Sequence, residues 1–255
     1  MFENLYIEKY RPKQLNDLIL TQDVRNYFEN IRKLKEIPHL LFYGSAGSGK
    51  STLAKIIVNE LLDCSYLYLN FSDSNGIDTV RNQITNFIQT KAIDGKLKIV
   101  IGDEADGQTG QAQGCLRNII EEYSSNCRFI LTANHINRII TPIQSRMQKF
   151  ELIPPINDCI KRCIHIIKTE GIKVEIEQRE RLSNLIKTNY PDIRNIIGEL
   201  QKYSINGILN IPKNLLVVSS FSKELFEKLV NKEDIFKIRK YIIENVLLFN
   251  NDHQL

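Results

Sequence analysis

Gly44-Ser45-Ala46-Gly47-Ser48-Gly49-Lys50-Ser51 fits the pattern G-x-x-x-x-G-K-[ST], and few strings of that length leave a chain so little choice of fold. The glycines let successive backbone N–H groups curl around a phosphate, the lysine reaches the β- and γ-oxygens, and the serine hydroxyl is placed to ligate magnesium. A loop of this kind works only between a buried strand and a helix whose positive end adds to the anion site. His39–Tyr43 reads as that strand, and from Ser51 to Leu62 the residues Leu53, Ile56, Ile57 and Leu61 share one helical face. The expected nucleotide contacts are Gly47, Ser48, Gly49, Lys50, Ser51 and Thr52.

Such a site needs an acidic partner at the end of a buried strand. Lys98-Ile99-Val100-Ile101-Gly102-Asp103-Glu104-Ala105-Asp106 supplies one. Asp103 with Ser51 is the expected Mg2+ pair, and Glu104 the base that polarises the attacking water. An exposed acidic turn is the plainer reading of the same residues, and the loop upstream decides against it. Asp106 fits a structural partner or helix cap better than a second base. Gly102 is less apolar than usual before such acids and is expected to loosen the strand end slightly.

The first half alternates short apolar runs with helical patterns, as a parallel α/β sheet does. Strands are expected at 39–43, 66–70, 97–101, 128–132 and 149–153, with helices over 51–62, 77–91, 111–123 and a short one at 139–146. Pro154-Pro155 breaks that rhythm, because neither residue can donate to a ladder. Helices then follow at 157–170, 177–188 and 192–203, and after the Asn206-Gly207 break at 213–230 and 232–249. The five cysteines form no CxxC pair and are read as reduced, mostly buried thiols of a cytoplasmic protein. No stretch approaches the roughly 20 apolar residues of a membrane span. A net charge of +4 permits a polyanionic partner without requiring one.

Read together, several segments resemble a sliding-clamp-loader ATPase subunit of the AAA+ superfamily, of the replication factor C small-subunit kind. They are Glu8-Lys9-Tyr10-Arg11-Pro12, the lead-in Ile37–Gly44, Asn75–Arg81, Asp103–Asp106 with Gln111-Ala112-Gln113 and Leu116-Arg117, and Pro142-Ile143-Gln144-Ser145-Arg146. Tyr123–Cys127, Thr132-Ala133-Asn134 and Asn189–Leu200 look especially like the ATPase subunit of T4-type bacteriophage loaders. The resemblance covers about residues 5 to 210 and implies three parts: an AAA+ P-loop ATPase domain over 1–153, a parallel sheet with flanking helices; a helical lid over 154–210; and a short, collar-like helical segment over 211–255.

The resemblance also implies roles. Ile7, Glu8, Lys9 and Tyr10 would contact the adenine with Ile19 as an apolar wall, although without the resemblance the same segment reads as a strap packing on the core. Asn134 would sense the γ-phosphate. Arg146 would act in trans, as an arginine finger in a neighbouring subunit's pocket; the plainer reading is a surface arginine paired with an acid. Arg194 would contact the nucleotide from the lid, with Pro191 departing from the glycine many relatives carry there. Arg81, Gln111, Gln113 and Arg117 are DNA-backbone candidates, each of which reads equally as a solvated or packing residue, and Arg117 has a second reading as a link to Glu104.

The implied cofactors are ATP and Mg2+. The implied partners are further copies of the chain, a non-catalytic loader subunit, a sliding clamp and primer–template DNA, with no membrane, in the cytoplasm of a phage-infected bacterial host. Only about 45 residues follow Asn210, fewer than a whole collar is expected to need. Two rivals share these motifs: another AAA+ replication or branch-migration motor, and a nucleotide-gated scaffold that scarcely turns ATP over.

Overall fold

A computed structural model of the chain describes residues 5–72, 77–89, 97–212, 228 and 234–244. Five parallel strands form one sheet: β1 (Leu40–Tyr43), β2 (Tyr66–Asn70), β3 (Lys98–Asp103), β4 (Cys127–Ala133) and β5 (Gln148–Glu151), in the order β2-β3-β4-β1-β5. Parallel strands covered on both faces read as unbroken apolar runs, and β3 is buried along its whole length.

Side-chain alternation divides the core in two. Leu40, Phe42, Ile99, Ile101 and Ile130 pack on one face with Phe28 and Ile31 of α2 (Gln22–Leu34) and Leu53 of α3 (Lys50–Ile56). Leu41, Val100, Phe129 and Leu131 face the other side, against Ile84 of α4 (Ile77–Gln89) and Leu116, Ile119 and Ile120 of α5 (Gly110–Glu122). A short helix α6 (Thr141–Gln144), with Pro142 in its first turn, leads into β5.

Element boundaries differ from the sequence reading where backbone geometry overrides periodicity. The helix after the glycine-rich loop changes at Ile57–Leu61 into a π turn, in which Leu62 N–H reaches Ile57 O at 3.0 Å. The turn brings Glu60 to the backbone N–H of Leu15, 2.8 Å away. The expected strand at 97–101 instead runs to Asp103, so the acidic residue is itself part of the sheet. Gly102 does not loosen that strand. A Cβ there would come 2.3 Å from the Phe71 ring and 2.7 Å from Leu131, so the missing side chain is the space Phe71 fills.

The chain divides into two compact units, 1–159 with 191–194, and 160–190 with 195–255. Helices α7 (Ile156–Thr169), α8 (Ile176–Asn189) and α9 (Ile193–Lys202) follow the sheet. Within the second unit Ile166, Leu185, Ile186, Ile196 and Leu200 are buried. There the buried Gln178 accepts from Ile211 N–H at 3.0 Å, and Arg181 donates to Ile211 O at 2.9 Å. A last helix spans Ile235–Glu244. Of the helix expected at 213–230 only Lys228 is described, in a helical conformation, and the ends of the one expected at 232–249 lie outside the described residues.

Cys127, Cys159 and Cys163 are buried, Cys64 and Cys115 half-buried, and all are free thiols. Burial pushes Cys127 up to about 12 and Cys159 to about 11, so both are inert at neutral pH. No helix among the described residues is long and apolar enough to cross a membrane.

Candidate nucleotide site

The glycine-rich loop leaves β1 at Tyr43 and enters α3 at Lys50. Gly49 caps α3 with φ 95° and Gly44 has φ 140°, the left-handed region that side chains avoid. At Gly44 a Cβ would also meet the Leu152 carbonyl at 2.8 Å. The loop's backbone is therefore free to present N–H groups inward.

Lys50 is 7% exposed, and its ammonium donates to Gly44 O at 3.0 Å and Ser45 O at 2.8 Å. Burial lowers its pKa, an effect opposed by Asp103, Asp106 and Glu104 and reinforced by Arg194. The Ser48 hydroxyl is buried without a hydrogen-bond partner among the described residues, an arrangement that suits a loop built to meet an external acceptor. Thr52 lies half-buried on the first turn of α3.

Asp103 ends β3 beside this loop, 8% exposed. Its Oδ1 accepts from the Ser51 hydroxyl at 2.7 Å and from the Thr132 hydroxyl, and its Oδ2 accepts from the Tyr68 phenol at 2.6 Å. Burial first, then the bond to Asp103, push the phenol's pKa well above the usual range. A hydroxyl and a single carboxylate are hard oxygen donors, a set that fits magnesium, which keeps most of its water and takes one or two protein ligands. Among the described residues no cluster of three His, Cys, Asp or Glu side chains offers a rival metal site.

Glu104 follows with φ 56° and ψ 45°, a left-handed conformation for a residue with a side chain. Its N–H is tied to Thr132 Oγ1 at 3.0 Å and its side chain is exposed. A strained backbone held by a neighbouring strand is a common way to aim a functional group. Asp106 is a structural partner, accepting from the N–H groups of Asn134 and His135 at 3.1 and 3.0 Å. Asn134 stands at the end of β4, the strand paired with β3.

The adenine candidates lie on one turn of helix α1 (Tyr6–Lys9) and its end. Ile7 and Tyr10 are half-buried, Glu8 and Lys9 exposed, and Tyr10 packs edge-on to Tyr6 at 5.8 Å. Ile19 is half-buried next to Leu18, whose side chain lies 3.5 Å from the Cβ position of Gly49, which brings the segment around Ile19 beside the loop. Arg194 falls in the 191–194 segment that groups with the sheet. In that segment the Asp192 carboxylate lies where a Cβ on Gly47 would come within 1.7 Å.

Arg146 follows α6 with a side chain 40% exposed. Its guanidinium donates to Pro142 O at 2.8 Å and pairs with the Glu121 carboxylate, which Arg117 approaches at 3.6 Å. Arg117 also donates to Asn118 Oδ1 at 2.7 Å, so among the described residues its polar contacts are with Asn118 and Glu121. Arg81 and Gln111 are exposed on α4 and α5.

Gln113 requires a correction as a DNA candidate. It is 2% exposed, donates to Gln108 O at 3.2 Å and Arg138 O at 2.8 Å, and accepts from Ile140 N–H at 2.8 Å. A side chain with its amide committed to three backbone groups braces a loop and reaches no backbone phosphate. Its spacing held the clue: Gln113, Leu116 and Ile120 stand at i, i+3 and i+7, on the buried face of α5. Sequence reasoning also missed Thr132 and Tyr68 as partners of Asp103, and Glu121 as the partner of Arg146. Thr132, two residues before Asn134 on the neighbouring strand, is the one that strand alternation points to.

Comparison with known proteins bears on the same regions. Residues 40–155 match the model for the ATPase family associated with various cellular activities. Residues 154–211 match the AAA+ ATPase lid domain of the sliding-clamp-loader large subunit. The chain is 37% identical to the replication factor C small subunit of Saccharolobus solfataricus over 90% of this chain and 70% of that one. It is 35% identical to the sliding-clamp-loader large subunit of Enterobacteria phage T4, over 91% of this chain and 75% of that one. Against the replication factor C small subunit of Thermofilum pendens the identity is 40%, and the chain spans 64% of that relative's length. Among solved structures, the RuvB Holliday junction branch migration motor of Thermotoga maritima has a TM-score of 0.60 at 16% identity, covering 82% of this chain and 71% of that one. At that identity the likeness concerns the fold alone.

Proposed function

This chain belongs to the sliding-clamp-loader family of AAA+ ATPases, and we propose that it hydrolyses ATP to place a ring-shaped sliding clamp at primer–template junctions. The observation that carries the chemistry is the 2.7 Å bond from the Ser51 hydroxyl to Asp103. It joins the glycine-rich loop to the acidic end of β3 at the one place where a nucleotide's phosphates and a metal would both be needed.

In this reading the loop N–H groups and Lys50 bind the β- and γ-phosphates, and Ser51 and Asp103 hold magnesium, which neutralises charge on the phosphate oxygens. Glu104 takes the proton of the attacking water as oxygen attacks the γ-phosphorus and the bond to the β-γ bridging oxygen breaks. Asn134 orients that water. Arg146 serves the pocket of an adjacent copy, so turnover belongs to the assembly rather than to the single chain. Arg194 and the Tyr10 strap close around the nucleotide. Exposed Arg81 and Gln111 and half-buried Arg117 remain the residues proposed to track the DNA backbone, where phosphate contacts position the protein without reading sequence.

The proposed assembly contains further copies of this chain, a non-catalytic subunit and the clamp. The 154–211 lid match and the 35% identity to the phage T4 subunit favour this over a branch-migration motor, which the fold likeness alone would permit. The test compares Glu104→Gln with the parent chain, with and without clamp and primed DNA. Nucleotide binding is expected to persist in the variant while turnover is lost, and parent turnover to rise strongly when both partners are added. Equal parent turnover with and without them contradicts clamp loading.

A further inference from the structure

Asp103 is held by hydroxyls from three separate segments, and these are not equivalent. Ser51 comes from the loop's helix and is itself a proposed magnesium ligand, so its hydroxyl would turn from Asp103 toward a bound ion. Thr132 comes from β4 and is shared, since its oxygen also accepts the Glu104 N–H at 3.0 Å. Tyr68 comes from β2, whose parallel register sets Asn70 opposite Asp103. It is the donor to the Oδ2 oxygen, at 2.6 Å. The Lys55 ammonium of α3 lies over its ring, 4.3 Å from the ring centroid. The phenol is thus held at its ring face by Lys55 and at its hydroxyl by the carboxylate.

We propose that Tyr68 is a positioning residue for the magnesium carboxylate. Its hydroxyl fixes the plane of Asp103 so that the carboxylate keeps one orientation when Ser51 turns to the metal. With Ser51 engaged elsewhere, a carboxylate held at Oδ1 by Thr132 alone can rotate about its χ2 torsion, and a donor on Oδ2 stops it. Outer partners that orient a metal's ligand commonly change its affinity by about 10- to 100-fold when removed. The inference rests on the reading of Asp103 as a magnesium ligand.

Tyr68→Phe removes only the hydroxyl and keeps the ring over which Lys55 sits. The experiment titrates Mg2+ into the full chain with a fluorescent ADP analogue and reads the Mg2+ concentration at half-maximal binding. Asp103→Asn runs alongside, and thermal unfolding of each variant confirms that it is folded. Tyr68→Phe is expected to raise the Mg2+ midpoint about tenfold or more, to leave metal-free nucleotide binding unchanged, and to recover parent-like kcat in the assembled ATPase at saturating Mg2+. A merely structural role would move the unfolding temperature and not the midpoint. An unchanged midpoint in Tyr68→Phe, with a shifted one in Asp103→Asn, overturns the proposal alone. Unchanged midpoints in both overturn the magnesium reading of Asp103 and the proposal with it.

Discussion

Asp103 and Arg146 belong to the same sheet unit and are held in opposite ways. Asp103 is 8% exposed and takes hydroxyls from α3, β2 and β4. Arg146 keeps 40% of its side chain in solvent, against a carbonyl of its own turn and the equally exposed Glu121. A buried carboxylate satisfied on both oxygens is set in place before its ligand arrives, and in a drier medium its charge acts more strongly. An exposed Arg–Glu pair is worth about 0.2–1 kcal/mol, little enough for a phosphate to displace. The difference fits a division of labour: the braced group serves its own pocket, and the loosely held one is available to be delivered to another.

The sharpest way to break that division is Arg146→Ala. The braced pocket should bind nucleotide as before, while turnover of the assembly falls roughly a thousandfold or more; a binding assay beside a steady-state ATPase assay separates the two. If nucleotide affinity falls in step with turnover, Arg146 acts on its own chain.

A smaller effect is expected from disturbing the brace from beneath. Gly102→Ala puts a Cβ 2.3 Å from the Phe71 ring and should cost about 1–3 kcal/mol of stability, as overpacking does, measured by denaturant unfolding. The magnesium corner should loosen with it, while the exposed surroundings of Arg146 stay as they are.

The smallest lies at the other end of β1, where His39 Nδ1 accepts the Phe129 N–H at 3.1 Å. Burial, then Arg128, lower its pKa to about 4, so the folded state favours the neutral ring. As pH falls from about 6.5 the unfolded chain takes up the proton first, and stability is lost progressively until about pH 4. With the ring partly in solvent the loss is discounted to about 1 kcal/mol. His39→Gln should flatten that part of the pH–Tm curve without touching either region compared above.

Much of the fold was legible because a parallel sheet writes its strands as apolar runs, and β2 falls on the expected residues Tyr66–Asn70. The π turn at Ile57–Leu61 was not, since one extra residue in a helical turn leaves the apolar face nearly unchanged and is fixed by tertiary partners such as Glu60. Gly102 was misjudged because its meaning depends on Phe71, which lies on a different strand's exit. In the candidate site, Lys50, Ser51, Asp103 and Glu104 could be put forward because a phosphate loop and an acidic strand end call for those residue types in that order, and Ser51 and Asp103 do meet at 2.7 Å. Tyr68 could not, because a tyrosine in an alternating strand is ordinary and only the β2–β3 register brings its hydroxyl to Asp103. The positive φ of Glu104 likewise leaves no trace in composition or spacing.

The central claim is that each pocket is half a site, completed by Arg146 of an adjacent copy. Mixing two inactive chains tests it directly. Glu104→Gln keeps the finger and loses the base, and Arg146→Ala keeps the base and loses the finger. Each, assembled separately with the partner subunit, clamp and primed DNA, should show almost no turnover. When the two are mixed, interfaces that pair an intact pocket with an intact finger should form, and ATPase activity should reappear as a substantial fraction of the parent's. Mixtures that stay as inactive as their components, while still assembling to the parent's mass, would contradict the account.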